Sequence, residues 1–285
     1  MKENSPLPTL VINEWLQRAT AQLTGLGIPS ARLDAELILA HTLRVPRTYL
    51  HAHPDGTITD RQEEIANARL ALRLDRVPVA YIIGHKEFYG RRFRVTNATL
   101  IPRPESEVLL ELLHQAIPSP HRLLTGDPLR LVDVGTGSGC LGITAKLLFP
   151  ELDVTLIDNS RHVLKVAQQN SAEHDAEVTI LHSDLLASYV FTADIIIANL
   201  PYVDTDWERS PETNHEPASA LFASKNGLSL IYELLIQTDT QLARGGSLIL
   251  EADPQQHQAI IAAAKKEGLL LQETNGYGLL FQKVK

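Results

Sequence analysis

The run Asn199-Leu200-Pro201-Tyr202 follows the apolar stretch Ile195-Ile196-Ile197-Ala198, and its residue types suit chemistry at a planar amide nitrogen. Such a nitrogen is a weak nucleophile, because its lone pair is delocalised into the carbonyl. As it attacks an electrophilic carbon it gains positive charge and its N–H groups become more acidic. It then needs hydrogen-bond acceptors that strengthen with that charge, and no strong base. The side-chain oxygen of Asn199 and the backbone carbonyl of Leu200 supply two acceptors, while Tyr202 offers a flat face for the amide to stack on. The same four residue types make an ordinary β-turn. Their place outside the carboxyl end of a predicted strand, where open α/β sheets put their ligands, favours the functional reading.

A second group of residues could hold a cofactor. Asp133-Val134-Gly135-Thr136-Gly137-Ser138-Gly139 lies between an apolar strand and the helical run 140–148. Glycines at such a turn let the backbone approach a ligand, and the helix end offers free N–H groups and a positive dipole. Asp158 ends the next strand, where its carboxylate can accept from both ribose hydroxyls of a nucleoside. The loop alone permits two readings, since Gly137-Ser138-Gly139-Cys140-Leu141-Gly142 matches the GxGxxG dinucleotide pattern and Asp158 would serve NAD equally well. Two features favour S-adenosylmethionine. Asp133, just before the loop, suits the methionine ammonium through water or backbone contacts, and an NAD enzyme has no use for residues 199–202. Further on, Asp184 either accepts from the adenine amino group or caps a helix, and Leu185 packs on the ring. The expected cofactor set is Asp133, Gly135, Thr136, Gly137, Ser138, Gly139, Asp158, Asp184, Leu185 and Asn199. Asn199, Leu200, Pro201 and Tyr202 form the expected catalytic and substrate-binding set, with no metal.

These groups need a scaffold. From residue 129 onward strands and helices alternate: strands are predicted over 131–134, 154–157, 178–181, 195–198, 247–251 and 279–284, with helices over 161–174, 228–243 and 255–267. Alternation of this kind implies a parallel sheet covered on both faces. Segments 269–273 and 279–284 are placed to close it as an antiparallel hairpin. The fold class is therefore α/β, a Rossmann-like class I methyltransferase domain over 105–285 with a mostly parallel seven-stranded sheet.

Residues 1–78 read as a small helical domain. Leu10, Trp15, Leu16, Ala19 and Leu23 recur at helical spacing. Ser30 precedes a second run with Leu33, Leu37, Ala40 and His41, and Thr59 with Gln62 looks like a capping box for a third whose apolar side is Ile65, Ala68 and Leu72. His51 and His53 read as surface histidines in a loop. Residues 79–104, with Tyr81-Ile82-Ile83, Phe88, Phe93 and Val95, read as a connecting β-hairpin. A helix is expected from about 105 through 113 and a loop over 118–128.

The 285 residues carry 34 acidic and 26 basic side chains, a net charge of −8. That balance speaks against a dedicated nucleic-acid binder, which would show a basic surplus. Residues 60–104 run the other way, with nine Arg/Lys against five acids, or +4. A solvated face explains this best, with a partner-docking face as the alternative. No stretch approaches the apolar run a membrane helix needs. The polar, proline-containing start, residues 1–8, does not resemble a signal peptide, and one cysteine, Cys140, excludes an internal disulfide. A cytoplasmic enzyme is expected.

At this point the chain resembles the HemK/PrmC family, the peptide-chain release-factor glutamine methyltransferases. The likeness runs nearly the whole length. Arg76-Val77-Pro78-Val79-Ala80-Tyr81-Ile82-Ile83-Gly84 with Glu87-Phe88 resembles the family's connector, and Ile101-Pro102-Arg103-Pro104-Glu105-Ser106-Glu107 is similar to its IPRPxTE signature. Asp133 to Gly139, Ser183-Asp184, Glu216-Pro217 and Ala220-Leu221 also agree. The resemblance implies methyl transfer from S-adenosylmethionine to the amide nitrogen (N5) of the glutamine in the Gly-Gly-Gln motif of class 1 release factors. It also implies an N-terminal domain that helps dock that partner. The family's tetrad is Asn-Pro-Pro-Tyr, so Leu200 departs from it while keeping the carbonyl. The alternatives are a glutamine of a ribosomal protein or adenine N6 of nucleic acid, the latter requiring an extruded base and usually a basic channel.

Overall fold

In the computed structural model the described residues are 10–117, 128–204 and 206–284. The expectation for the first eight residues, and nearly all of the expected loop over 118–128, fall outside them. The chain forms two compact units, Met1–Gly84 with Ser210–His215, and His85–Arg209 with Glu216–Lys285.

The first unit is built on helices α1 (Ile12–Gly25), α2 (Ala31–Leu43), α3 (Arg47–Ala52), α4 (Asp60–Leu74) and α5 (Val79–Ile83). Its core joins Trp15, Leu16 and Leu23 of α1 to Ala35, Ile38 and Leu39 of α2, with Leu50, Ile58, Ala66 and Leu70. The Thr59–Gln62 capping box is present at the start of α4. The inward faces of α2 and α4 differ from expectation. Leu33, Ile65 and Leu72 are exposed, whereas Asp34 and Arg73 are buried. Small residues let these helices approach closely, and the Arg73 guanidinium is satisfied inside, donating to Asp34 Oδ2 at 2.7 Å and Glu212 Oε1 at 2.9 Å. A buried charge with good partners thus displaces leucines that bulk alone would place inside. The histidine loop is also corrected. His51 lies in α3, 3.4 Å from Glu36, and His53 caps that helix and stacks on Tyr49.

The second unit opens with an antiparallel hairpin, β1 (His85–Phe88) and β2 (Arg91–Arg94). It is shorter than expected, because residues 79–83 turn as helix α5 after Pro78. A 3₁₀ turn, Pro104–Glu107, leads into α6 (Val108–Ala116), where one continuous helix was expected. There follow β3 (Arg130–Val134), α7 (Cys140–Leu148), β4 (Asp153–Asp158), α8 (Arg161–Glu173), β5 (Thr179–His182), β6 (Ala193–Ala198), α9 (Ala218–Leu221), α10 (Ser229–Gln241), β7 (Leu242–Glu251), α11 (His257–Lys266), β8 (Leu269–Asn275) and β9 (Gly278–Lys283). The seven-stranded sheet has the order β5-β4-β3-β6-β7-β9-β8, parallel except for β9, which pairs antiparallel with β7 and β8.

Both faces of the sheet are covered. Because side chains alternate along a strand, Val132, Val134, Ile196 and Leu248 pack with Ile231 and Leu234 of α10 and Ile260 of α11. Leu131, Leu156, Ile195, Ile197 and Ile249 face the other way, onto Leu109 and Leu113 of α6 and Ile143 of α7. The strand order reverses between β3 and β6. The crevice outside the carboxyl ends of β3, β4 and β6 therefore lies where doubly wound sheets bind ligands.

Candidate active site

The glycine loop springs from β3 and is braced from below. Asp133 is 1 % exposed; its Oδ2 accepts from Thr136 Oγ1 at 2.6 Å and from the Gly142 backbone N–H at 2.9 Å, leaving Oδ1 buried without a partner. Burial pushes the carboxyl up to about 6, against hydrogen bonds from Thr136 and Gly142 that lower it. Gly142 sits so close over β3 and β4 that a Cβ there would stand 2.2 Å from Leu156 Cδ2 and 3.0 Å from Asp133 Cβ. On the other side Asn170 of α8 donates to the Ser138 carbonyl at 2.7 Å and exchanges hydrogen bonds with the Arg94 backbone. This ties the β-hairpin to the loop.

Above the loop is a cavity lined by Gly135, Thr136, Gly137, Ser138, Asp158, Asp184, Leu185, Asn199, Leu200 and Pro201. Ten of the expected site residues are thus brought together. Asp133, Gly139 and Tyr202 are not on its wall. Asp133 braces the loop from beneath, with its side chain turned to Thr136 and Gly142. Gly139 stands at the N-terminus of α7. Asp158 accepts from Gly137 N–H at 3.2 Å and Ser160 N–H at 3.0 Å; burial raises its pKa, with those bonds opposing. Asp184 is exposed, and turns rather than a helix follow it, which removes the helix-cap reading. Cys140 also lines the cavity, but burial pushes its thiol up to about 12. Burial thus favours the protonated thiol over the thiolate that a nucleophile needs.

Residues 199–202 are held from several directions. Asn199 Nδ2 donates to Ser106 Oγ at 2.9 Å, which leaves Oδ1 as the acceptor of the amide. Leu200 is buried against the loop, and Tyr202 packs on the α10 side of the sheet. The Tyr202 hydroxyl donates to Glu251 Oε1 at 3.0 Å, and its carbonyl accepts from Gln256 Nε2 at 2.8 Å. Glu251, at the end of β7, is 2 % exposed. Burial raises its pKa, while hydrogen bonding from Ser106, Tyr202 and Asn199 pulls it back.

Sequence reasoning attached no function to Ser106, Glu216, Asn170 or Glu251. The segment 101–106 forms part of the cavity wall, through Pro102, Arg103 and Ser106. Glu216 fixes it there, pairing with Arg103 Nη2 and accepting from Ile101 N–H at 3.2 Å. The IPRPxTE-like signature and Glu216-Pro217 were visible as strings. Their partnership across 113 residues left no local signal. The basic stretch is partly spent within the same unit. Arg94 pairs with Glu173, and Arg92 reaches His85.

The chain matches two families, described as PrmC N-terminal domain over residues 14–84 and methyltransferase small domain over residues 105–216. It is 35 % identical over 255 residues to the release factor glutamine methyltransferase of Koribacter versatilis, spanning 86 % of this chain and 89 % of that one. The protein of that name from Deinococcus radiodurans is 33 % identical over 259 residues, 90 % and 91 % of the two chains. Among solved structures, a methyltransferase from Pyrococcus furiosus superposes with a TM-score of 0.52 at 18 % identity, covering 77 % of this chain and 98 % of that one. It shares the fold.

Proposed function

The chain belongs to the release factor glutamine methyltransferase family, and we propose that residues 199–202 receive the substrate amide beside the glycine loop. The enzyme transfers a methyl group from S-adenosylmethionine to a release-factor glutamine, and its acceptor in this reading is the side-chain amide nitrogen of the glutamine in the Gly-Gly-Gln motif. The cavity fits the cofactor by its donor set. Asp158 keeps lone pairs for the ribose hydroxyls, and Asp184 stands exposed on the wall for the adenine amino group. Gly135, Thr136, Gly137 and Ser138 form the floor, and Leu185 packs on the ring. S-adenosylmethionine supplies a methyl group already activated on positively charged sulfur.

The chain's own part is positioning and charge stabilisation. Asn199 Oδ1 and the Leu200 carbonyl accept the two N–H groups of the glutamine amide, aiming its lone pair at the methyl carbon. Both bonds strengthen as the nitrogen turns positive, which favours the transition state over the bound ground state, and the methylated nitrogen returns to a neutral amide by giving one of these N–H protons up to water. The orientation of Asn199 by Ser106 carries this reading. The N-terminal unit, residues 1–78 by its sequence texture, serves as the docking domain for the release factor, and the enzyme acts in the cytoplasm, where that partner works. Its acidic balance gives nucleic acid no dedicated seat. Among the described residues no helix is long and apolar enough to cross a membrane.

The test is incubation with labelled S-adenosylmethionine and a release factor, a ribosomal protein or nucleic acid in turn. Label should enter the release factor and disappear when the Gly-Gly-Gln glutamine is replaced. Label in adenine or ribosomal protein alone would refute the substrate assignment.

A further inference from the structure

Glu251 makes no contact with the cavity, yet it meets both functional ends of the 199–202 segment. It accepts from the Tyr202 hydroxyl at 3.0 Å through Oε1. Its other oxygen, Oε2, is buried without a hydrogen-bond partner, and the Ser106 hydroxyl and Asn199 amide lie close enough to the carboxylate to favour its charged form. Ser106 is itself 2 % exposed and accepts from Asn199 Nδ2 at 2.9 Å. A hydroxyl that accepts there has one proton left to donate, and the carboxylate beside it can take that proton's hydrogen bond.

We infer that Glu251 is a positioning residue for methyl transfer, setting the direction of the Asn199 amide through Ser106 and the angle of the Tyr202 ring directly. The inference rests on the reading of Asn199 as the acceptor. A side-chain amide has two nearly isosteric orientations, one presenting oxygen to the cavity and the other presenting NH₂. Only the first can accept from a substrate N–H. An acceptor-only group at the far end of the chain fixes the hydrogen-bond direction from Asn199 Nδ2 to Ser106 and on to Glu251, so the amide oxygen is left for the substrate. A neutral amide in place of that carboxylate presents a donor to Ser106. The direction is then no longer enforced, and NH₂ can face the cavity.

Other groups around Glu251 are accounted for. Glu105, a like charge on the 3₁₀ turn, disfavours ionisation of Glu251. Cys140 of α7 feels the Glu251 charge but is held neutral. No cation is paired with Glu251 among the described residues, so its interactions with Ser106, Asn199 and Tyr202 are what its burial leaves it.

Glu251→Gln tests this at constant volume, measured beside Ser106→Ala, Ser106→Thr, Asn199→Ala and the double variant Ser106→Ala/Glu251→Gln. The expected result is a single-turnover methyl-transfer rate lowered about tenfold or more by Glu251→Gln, with S-adenosylhomocysteine affinity and release-factor KM changed less than twofold. Ser106→Ala should lose a similar factor and Ser106→Thr should restore most of it. The double variant should be no slower than the slower single variant, because both act on one chain of bonds. If Asn199→Ala is slow and Glu251→Gln turns over like wild type, the inference is overturned while the reading of Asn199 stands. A double variant whose losses multiply overturns it too. Wild-type turnover by Asn199→Ala would instead remove the reading on which it rests. Should Glu251→Gln not fold, failure of the hydroxyl-retaining Ser106→Thr to outperform Ser106→Ala overturns the inference by itself.

Discussion

The side chain of Leu200 closes over Gly135: a Cβ on that glycine would stand 2.9 Å from Leu200 Cδ2. The residue that departs from the family's usual proline therefore forms a wall between the cofactor loop and the acceptor segment. Gly135 also has φ +72°, a conformation that an L side chain adopts at a cost. Gly135→Ala is expected to weaken S-adenosylhomocysteine binding at least tenfold, and pairing it with Leu200→Ala should recover only part, since the backbone strain remains. Leu200→Pro keeps the carbonyl and should turn over near the normal rate. It should lose about 1–3 kcal/mol of stability with the buried contact, as read by urea unfolding.

Asn199→Ala removes an acceptor that strengthens as charge develops. By analogy with loss of one oxyanion-hole donor, single-turnover rates should fall ~100- to 1,000-fold, with cofactor affinity changed far less. Turnover close to wild type would mean that Asn199 is only a turn residue.

Tyr202→Phe keeps the ring but leaves Glu251 Oε1 without its donor. The expected cost is about 1–3 kcal/mol of stability, together with a modest loss of rate. Tyr202→Ala should lose the rate severely. Equal effects of the two on turnover would show that the hydroxyl, not the aromatic face, is what the site uses.

Asp158 supports the loop at Gly137 and faces the cavity. Asp158→Asn should lower S-adenosylmethionine affinity by ~10- to 100-fold, the loss of charge-assisted hydrogen bonds. The melting temperature of the wild type should rise with S-adenosylmethionine or S-adenosylhomocysteine but not with NAD. At 100 times the dissociation constant the gain is about 2.7 kcal/mol. Stabilisation by NAD alone would reverse the cofactor assignment.

Asp133, raised from 3.8 to about 6 by burial, binds its proton more tightly in the folded protein than in the unfolded chain. Its favourable contribution is complete below pH 3.8 and is lost as pH rises through 6. The accumulated change is about 3 kcal/mol. Asp133→Asn, which does not titrate, should therefore gain stability relative to wild type by that order between pH 4 and pH 7. A constant difference across this range in urea unfolding would show that Asp133 is not the titrating group.

Much of this was legible in the sequence because the signals are local. Strands β3, β4 and β6 are apolar runs with Gly, Asp or Asn at their carboxyl ends, and that arrangement announces both the sheet and its crevice. The capping box at Thr59 needs only four residues to be seen. What stayed hidden depends on distant partners. Arg73 reads as a solvent residue until Asp34 and Glu212 are beside it, so the choice of Ile65 and Leu72 as the inner face of α4 followed bulk and missed the ion pair. Asp133 is expected to act on a ligand through water or backbone contacts, and its own bonds to Thr136 and Gly142 beneath the loop leave no mark in the sequence. Ser106 and Asn199 are 93 residues apart, and no periodicity connects them.

The helical unit is completed by Ser210–His215, whose Glu212 meets Arg73 and Arg76 and whose His215 Nε2 lies 2.9 Å from the Asp75 carbonyl. During synthesis, residues 10–84 leave the ribosome long before residue 212 is made, and until then Arg73 has Asp34 as its only carboxylate partner among the described residues. The N-terminal unit therefore cannot reach its final set of contacts until the strands β3 to β6 have been translated. A fragment ending at Gly84 is an incomplete object, and the last step in building the first part of the chain waits on the second.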